Sequence, residues 1–202
     1  EVLRGTIYDR NGTALTTSER LNQTSQKRDY LYGNLYVHAL GYTSAVYGTT
    51  GLEEENDSEL TTYNAFGNNF RKFLDTIDLN RLVENIKSDK ESTGSFNFTE
   101  NFKEFKDKID FSLLTEEDAK VGNGVVTTLD TTLQQVASDA LGDNKGAVVA
   151  LDPKTGEILA MVSKPTFNPN NLADEMNAAN SGSGEDSPLI NRAINGLYPP
   201  GS

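Results

Sequence analysis

Cysteine is absent from the 202 residues, so no disulfide staples this chain and no thiolate can act as nucleophile or metal ligand. That absence suits an exported protein. Histidine occurs once, at His38, which excludes metal motifs built on paired histidines. A lone histidine reads as structural, and no metal or cofactor is expected. Long apolar runs are missing, so nothing in the sequence predicts a membrane-spanning helix, and no signal peptide is present. Positive charge is scarce: 18 Lys and Arg stand against 30 Asp and Glu, a net charge of -12. That balance repels nucleic acid and anionic membrane, since binding phosphate needs a cationic surface. The excess acid reads as a solvated surface. What remains is 36% apolar residues, enough for a modest core in one or two domains.

The first element reads as a hairpin. "TIYDR" and "TALTTS" flank Asn11-Gly12, a dipeptide suited to a type I′ turn. Ile7 and Leu15 then share the buried face. Asp9, Asn11 and Gly12 faintly suggest a calcium loop, but the later acidic ligands are missing and no calcium is expected. Residues 30–52 are rich in Tyr and Gly. Leu35, Val37 and Ala39 alternate as in a strand, although a short helix fits equally, and Gly33, Gly41, Gly48 and Gly51 punctuate the stretch. "EEENDSE" reads as a solvated helix start.

Between 64 and 120 the pattern turns helical. Phe66, Phe70, Phe73, Leu74 and Ile77 recur at helix spacing, followed by Leu82, Val83 and Ile86, and later by Phe102, Phe105 and Ile109. The region reads as a helical insertion or small subdomain. After it, "VVTTLD" predicts a strand. Thr131 with Gln134 fits a capping box, opening a helix whose apolar face is Leu133, Val136, Ala137, Ala140 and Leu141. Gly142 is placed to end it. "GAVVAL" and "EILAMVS" are two strands joined by the turn "DPKTG". Both are apolar on both faces, as in the middle of a layered domain. Two strands and one helix cannot cover themselves, so self-association through 121–202 is expected. Residues 177–187 read as a flexible loop, and "PLINRAINGL" as a short buried segment leading into the proline elbow "YPPGS". Both ends of the sequence read as cut from something longer.

Five stretches in order carry a resemblance. They are "RGTIYDRNGTAL", "HALGYTSAVYGTTGLE", "VVTTLDTTLQQVASDAL", "GAVVALDPKTGEILAMVSKPTFNPN" and "SPLINRAINGLYPPGS". Together they resemble the class B penicillin-binding proteins, the bacterial peptidoglycan D,D-transpeptidases. Residues 64–120 show no such likeness. The resemblance implies that Ser202 is the serine of the family's Ser-x-x-Lys, the nucleophile that attacks a D-Ala-D-Ala stem peptide or a β-lactam. The sequence stops before that lysine, and the family's later serine and Lys-Thr-Gly motifs are absent too. The "KTG" at Lys154 to Gly156 lies upstream of Ser202 and reads as a hairpin turn. This stretch alone is therefore expected to be inactive.

The expected fold is α+β. Residues 1–120 would be a strand-containing, dimerisation-type pedestal with an insertion at about 64–120, and residues 121–202 a truncated transpeptidase sheet. The resemblance implies a non-catalytic region that positions the catalytic domain and docks cell-wall synthesis proteins. The parent would sit at the outer face of the bacterial cytoplasmic membrane, held by an anchor outside this sequence. Two alternatives remain at this stage: an extracellular adhesion or sensor module, and a complete enzyme acting through Ser202 or carboxylates.

Overall fold

A computed structural model describes residues 2–63, 120–181 and 187–199. It is a mixed helix and strand architecture. The chain divides into two compact units, one formed by 1–62 with 121–202 and the other by 63–120. The helical pattern expected across 64–120 lies, save for Lys120, outside the described residues.

In the first unit, strand β1 (Ile7–Tyr8) pairs in parallel with β6 (Val125–Val126), Ile7 opposite Val125. A parallel bridge between Leu3 and Val121 extends the contact. A parallel pair needs a long connection, and the chain between Tyr8 and Val125 supplies it. Gly5 lets the two chains approach, and Gly122 lets the second lie against the end of the helix that carries Leu60. A Cβ on Gly5 would lie 1.9 Å from the Asn123 carbonyl oxygen, and one on Gly122 would lie 1.8 Å from that of Leu60.

The first hairpin forms, but not through a type I′ turn. Such a turn needs positive φ at both central residues, and among the described residues only glycines have positive φ. Gly12 alone does so here, at +82°. Its N–H donates to the Asp9 carbonyl at 3.1 Å, and the Asp9 N–H donates to the Thr13 carbonyl at 2.9 Å. This is the three-residue loop with a left-handed glycine at its end. Asp9 decides the outcome: its carboxylate accepts from the N–H groups of Asn11 and Thr13, stabilising the tighter first turn. Ile7 and Leu15 are fully buried together, as their alternation predicts.

Strands β2 (Thr16–Arg20) and β3 (Gln26–Tyr30) form an antiparallel ribbon. The Tyr/Gly-rich stretch then resolves into short pieces. A 3-10 turn (Gly33–Leu35) leads to helix α1 (Val37–Leu40), then to the small hairpin of β4 (Thr43–Ser44) and β5 (Gly48–Thr49). Helices α2 (Gly51–Glu55) and α3 (Asp57–Thr61) follow. Of the two readings open for Val37 and Ala39, the helix is correct. All four punctuating glycines take positive φ. The core here is Ile7, Leu15, Tyr30, Tyr36, Leu40, Leu60 and Leu129. Each large apolar side chain among them contributes about 1.5–3 kcal/mol on burial.

Helix α4 (Thr131–Leu141) packs on the antiparallel pair β7 (Gly146–Leu151) and β8 (Ile158–Lys164). The expected boundary glycine, Gly142, ends it with φ +56°. The expected capping box does not form. Asp130 is the N-cap, accepting from the Leu133 N–H at 3.0 Å. The Thr131 hydroxyl is already committed to Asp9 and cannot turn back to the helix. The buried face also differs from the apolar pattern. Gln134 and Ala137 are buried, whereas Leu133, Val136 and Ala140 are exposed. A small core of Ala137, Ala160 and Val162 joins the layers. Val149 and Leu151 of β7 are exposed, so β7 is not buried on both faces, whereas in β8 the neighbours Val162 and Ser163 are both buried.

A 3-10 turn (Pro169–Asn171) leads into helix α5 (Leu172–Ser181). That helix takes in the first part of the expected loop at 177–187. Helix α6 (Arg192–Asn195) lies in the expected buried segment. There the reading fails: Ile194, Leu197 and Tyr198 are exposed, and the buried residue is the polar Asn191. Among the described residues, no helix is long and apolar enough to cross a membrane.

Candidate functional site

The nucleophile that the sequence suggests, Ser202, lies outside the described residues. The structure describes the chain that leads to it, up to Pro199, and the groups that hold this chain.

Three consecutive residues of the approach are gripped by buried polar groups. Ser163, on β8, is almost completely buried. Its hydroxyl donates to the Ile190 carbonyl at 3.1 Å and accepts from the Arg192 N–H at 2.8 Å. Between them, the Asn191 side-chain amide donates to the His38 carbonyl of α1 at 2.8 Å, and its oxygen caps α6 by accepting from the Ala193 N–H at 3.0 Å. The Arg192 guanidinium reaches back to the Ser187 carbonyl at 3.0 Å. Gly196 permits the turn after α6: a Cβ there would sit 2.5 Å from the Arg192 carbonyl oxygen.

His38 itself lies beneath this segment. Its Nε2 is 3.3 Å from the Pro165 carbonyl, and its ring meets Phe167 edge to face at 5.6 Å. Burial lowers its pKa, with the Pro165 carbonyl acting in the opposite sense and Arg192 reinforcing the drop. Its structural role matches the reading of a lone histidine.

A second buried polar cluster corrects the reading of "EEENDSE" as solvated at its first residue, while Glu54, Glu55, Asp57, Ser58 and Glu59 are exposed as expected. Glu53 is fully buried. Arg4 pairs with its Oε2, Arg28 donates to its Oε1 at 2.8 Å, and Asp57 takes the other arm of Arg4. Arg28 also donates to the Gly5 carbonyl at 2.7 Å and to the Ser18 hydroxyl at 2.9 Å. Burial disfavours the Arg4 charge, but its bonds to Asp57 and Glu53 outweigh this and raise its pKa. The cluster ties the first residues of the chain to β3 and α2.

The third cluster joins the hairpin turn to α4. The Tyr36 hydroxyl donates to Thr131 Oγ1 at 2.9 Å, and Thr131 donates to Asp9 Oδ2 at 2.7 Å. Burial works against the Asp9 charge, yet the bonds from Thr131, Thr13 and Asn11 prevail and hold its pKa below the ordinary carboxylate value. Burial is also the main reason that the Tyr36 phenol is pushed up to about 12. Both Asp9 oxygens are thus engaged by protein donors. Lys154 of the "KTG" sits in the β7–β8 turn, with its backbone N–H on Asp152 Oδ1 at 2.7 Å and Gly156 at φ +78°.

Composition and periodicity missed Asn191, Ser163, Gln134 and Glu53, since each is a polar residue placed by long-range contacts. The resemblance alone pointed to the stretch around Asn191.

These observations describe a strand-and-helix scaffold that grips a chain ending in "YPPGS", and the comparisons agree on its class. Residues 4–79 match the model of the penicillin-binding protein A dimerisation domain, and residues 146–202 match that of the penicillin-binding protein transpeptidase domain. The first match runs past residue 64, so part of the stretch that shows no likeness on inspection falls inside it. The chain belongs to the penicillin-binding proteins.

Among relatives, it is 33% identical over 193 residues to the peptidoglycan D,D-transpeptidase MrdA of Acinetobacter baumannii, covering 89% of this chain and 25% of that protein. It is 48% identical over 99 residues to the peptidoglycan D,D-transpeptidase PbpA of Mycolicibacterium smegmatis, covering 44% and 20% respectively. Among solved structures, the penicillin G acyl-enzyme complex of penicillin-binding protein A from M. tuberculosis matches with a TM-score of 0.68 at 28% identity, covering 100% of this chain and 40% of that one. The chain spans about a quarter of the length of the MrdA relative. None of these matches favours an adhesion or sensor module.

Proposed function

We propose that this chain is the N-terminal region of a longer peptidoglycan D,D-transpeptidase. Residues 1–120 form its non-catalytic, dimerisation-type pedestal with a helical insertion at about 64–120, and residues 121–202 begin its transpeptidase domain. The observation that carries this reading is the ordered pair of family matches, the second of which runs through Ser202.

In this reading Ser202 Oγ attacks the carbonyl carbon between the two D-alanines of a stem peptide. A bond from Oγ to that carbon forms, the amide C–N bond breaks, and the departing amine takes the proton. With a β-lactam, the ring amide opens in the same way and stays attached. A serine hydroxyl needs a base to take its proton, and in the family that base is the lysine three residues on. The stretch up to Ser202 lacks it and is inert by itself. Its work is to position the catalytic domain and to dock other proteins of wall synthesis, at the outer face of the cytoplasmic membrane where an anchor holds the parent. Self-association through the exposed apolar residues of 121–202 belongs to the same proposal, and light scattering tests it.

The decisive experiment treats the full-length gene product with a fluorescent penicillin, followed by intact-mass spectrometry and peptide mapping. One adduct on Ser202, lost in Ser202→Ala, is expected, with none on the 202-residue chain. An adduct on another serine, or one that survives Ser202→Ala, overturns the reading.

A further inference from the structure

We infer that Asn191 is a positioning residue for the Ser202 segment, acting as a latch between that segment and helix α1 through the His38 carbonyl. The inference rests on the reading of Ser202 as the acyl nucleophile.

Asn191 is the last buried residue among the described residues before the serine. Beyond it Ile194 is 68% exposed and Leu197 98%, while Ala193 is half-buried. Apolar contact therefore seats the segment only in part. Apolar contact is also non-directional and fixes register poorly. Hydrogen bonds to a buried amide do fix it, because an unmade bond there costs the full desolvation of the group.

The Asn191 side chain splits its two ends between two tasks. Its oxygen caps α6 locally through the Ala193 N–H. Its nitrogen leaves the segment altogether and donates to the His38 carbonyl, 153 positions earlier in the chain. On the other side Ser163 holds the flanking residues, Ile190 and Arg192. The approach is thus clamped between β8 and α1: the Asn191 Nδ2 bond takes the α1 backbone at His38, and the His38 ring meets the Pro188 carbonyl beside it. A cap alone requires an acceptor. The donor is the part of asparagine that local helix chemistry does not explain. Displacing a reacting group by about 1 Å can cost roughly 100-fold in rate, so a latch close to the nucleophile in sequence controls acylation more than binding.

The test separates the two ends of the side chain in the full-length gene product, using a fluorescent penicillin and stopped-flow measurement of binding and acylation. Asn191→Asp keeps the capping oxygen and, when ionised, has no proton for His38. Its acylation rate constant should fall roughly 10- to 100-fold against wild type at high pH. Burial and the facing His38 carbonyl both disfavour the new carboxylate's charge and raise its pKa, so the ratio of variant to wild type should recover as the pH is lowered from 9 to 5. Asn191→Ser still caps α6 but is too short to reach the His38 carbonyl. It should show the same loss in the acylation constant, with the non-covalent binding constant within about two-fold. An Asn191→Asp ratio that stays at unity across this pH range overturns the latch. So does wild-type acylation by Asn191→Ser, which also decides the matter should Asn191→Asp fail to fold. If wild type itself takes no label on Ser202, the reading of the nucleophile fails first.

Discussion

Gln134 and Met161 bind one another as two strand residues would. The Gln134 side-chain oxygen accepts from the Met161 N–H at 2.9 Å, and its nitrogen donates to the Met161 carbonyl at 2.7 Å. The same nitrogen donates to the Leu35 carbonyl at 2.9 Å. A helix side chain thereby occupies backbone groups that β8 leaves free of β7, and joins them to the 3-10 turn.

Gln134→Leu matches the volume but leaves three buried backbone groups unpaired. Each costs about 1–3 kcal/mol, partly relieved by local rearrangement, so a loss of about 2–4 kcal/mol is expected. Urea denaturation of the two proteins measures it, and a loss under about 1 kcal/mol would mean that water replaces the amide.

Removing the Glu53 carboxylate takes the ion-pair partner from Arg28 and leaves Arg4 with Asp57 alone. Breaking a buried pair from one side typically costs about 3–5 kcal/mol, because the remaining charge has no partner. Glu53→Ala should therefore destabilise the fold by about that much, while the neighbouring exposed Glu54→Ala should change it by less than about 0.5 kcal/mol. Thermal melts of the pair of variants check the contrast.

Gly122 and Gly12 are needed for different reasons, and alanine should separate them. At Gly122 a Cβ has no room against the Leu60 carbonyl, so the chain there and the last turn of α3 must part. At Gly12 nothing lies within 4 Å of the added Cβ, and only the positive φ is strained. Gly12→Ala should cost about 1–2 kcal/mol. Gly122→Ala should cost more, and should lower the amide-exchange protection of Gly5, whose N–H donates to the same Leu60 carbonyl at 2.8 Å.

His38 makes stability depend on pH in a known direction. Its folded pKa lies below the ordinary value of 6.5, so the unfolded chain binds this proton more readily. The neutral ring's contribution is complete above about 6.5. It is lost as the pH falls from there towards the lowered folded value. The stability difference between wild type and His38→Gln should therefore shrink between pH 7.5 and 5, as read from melts of both proteins. A difference that is constant or grows as the pH falls would contradict the assignment.

Much of this fold is legible in the sequence wherever a local rule decides it. Gly142 and Gly156 stand where a helix and a turn must end, and "GAVVAL" and "EILAMVS" are strands by composition alone. The failures have one physical origin. Gln134, Glu53 and Asn191 are polar residues buried by partners far off in sequence, and burial of a polar group is invisible until those partners are known. Leu133 and Val136 fail in the opposite way, as apolar residues left exposed because Gln134 has taken the inner face of α4. The type I′ turn fails because the Asp9 carboxylate offers two bonds that the Asn-Gly rule does not count. The candidate site was visible only through resemblance, since no periodicity marks a serine.

The parallel seam between β1 and β6 bears on how this chain can vary over evolution. The Thr127 hydroxyl donates to the Tyr8 carbonyl across 119 positions, while the Thr62 carbonyl accepts from the Asn123 N–H at 3.1 Å. The chain leaves the seam and re-enters it at neighbouring points. The hydrogen bonds that close the seam lie entirely outside that excursion, so they do not depend on its length. Lineages can lengthen, trim or exchange what lies between Thr62 and Val121, and new surfaces can be tried there without renegotiating the contacts that hold Asn191 in place.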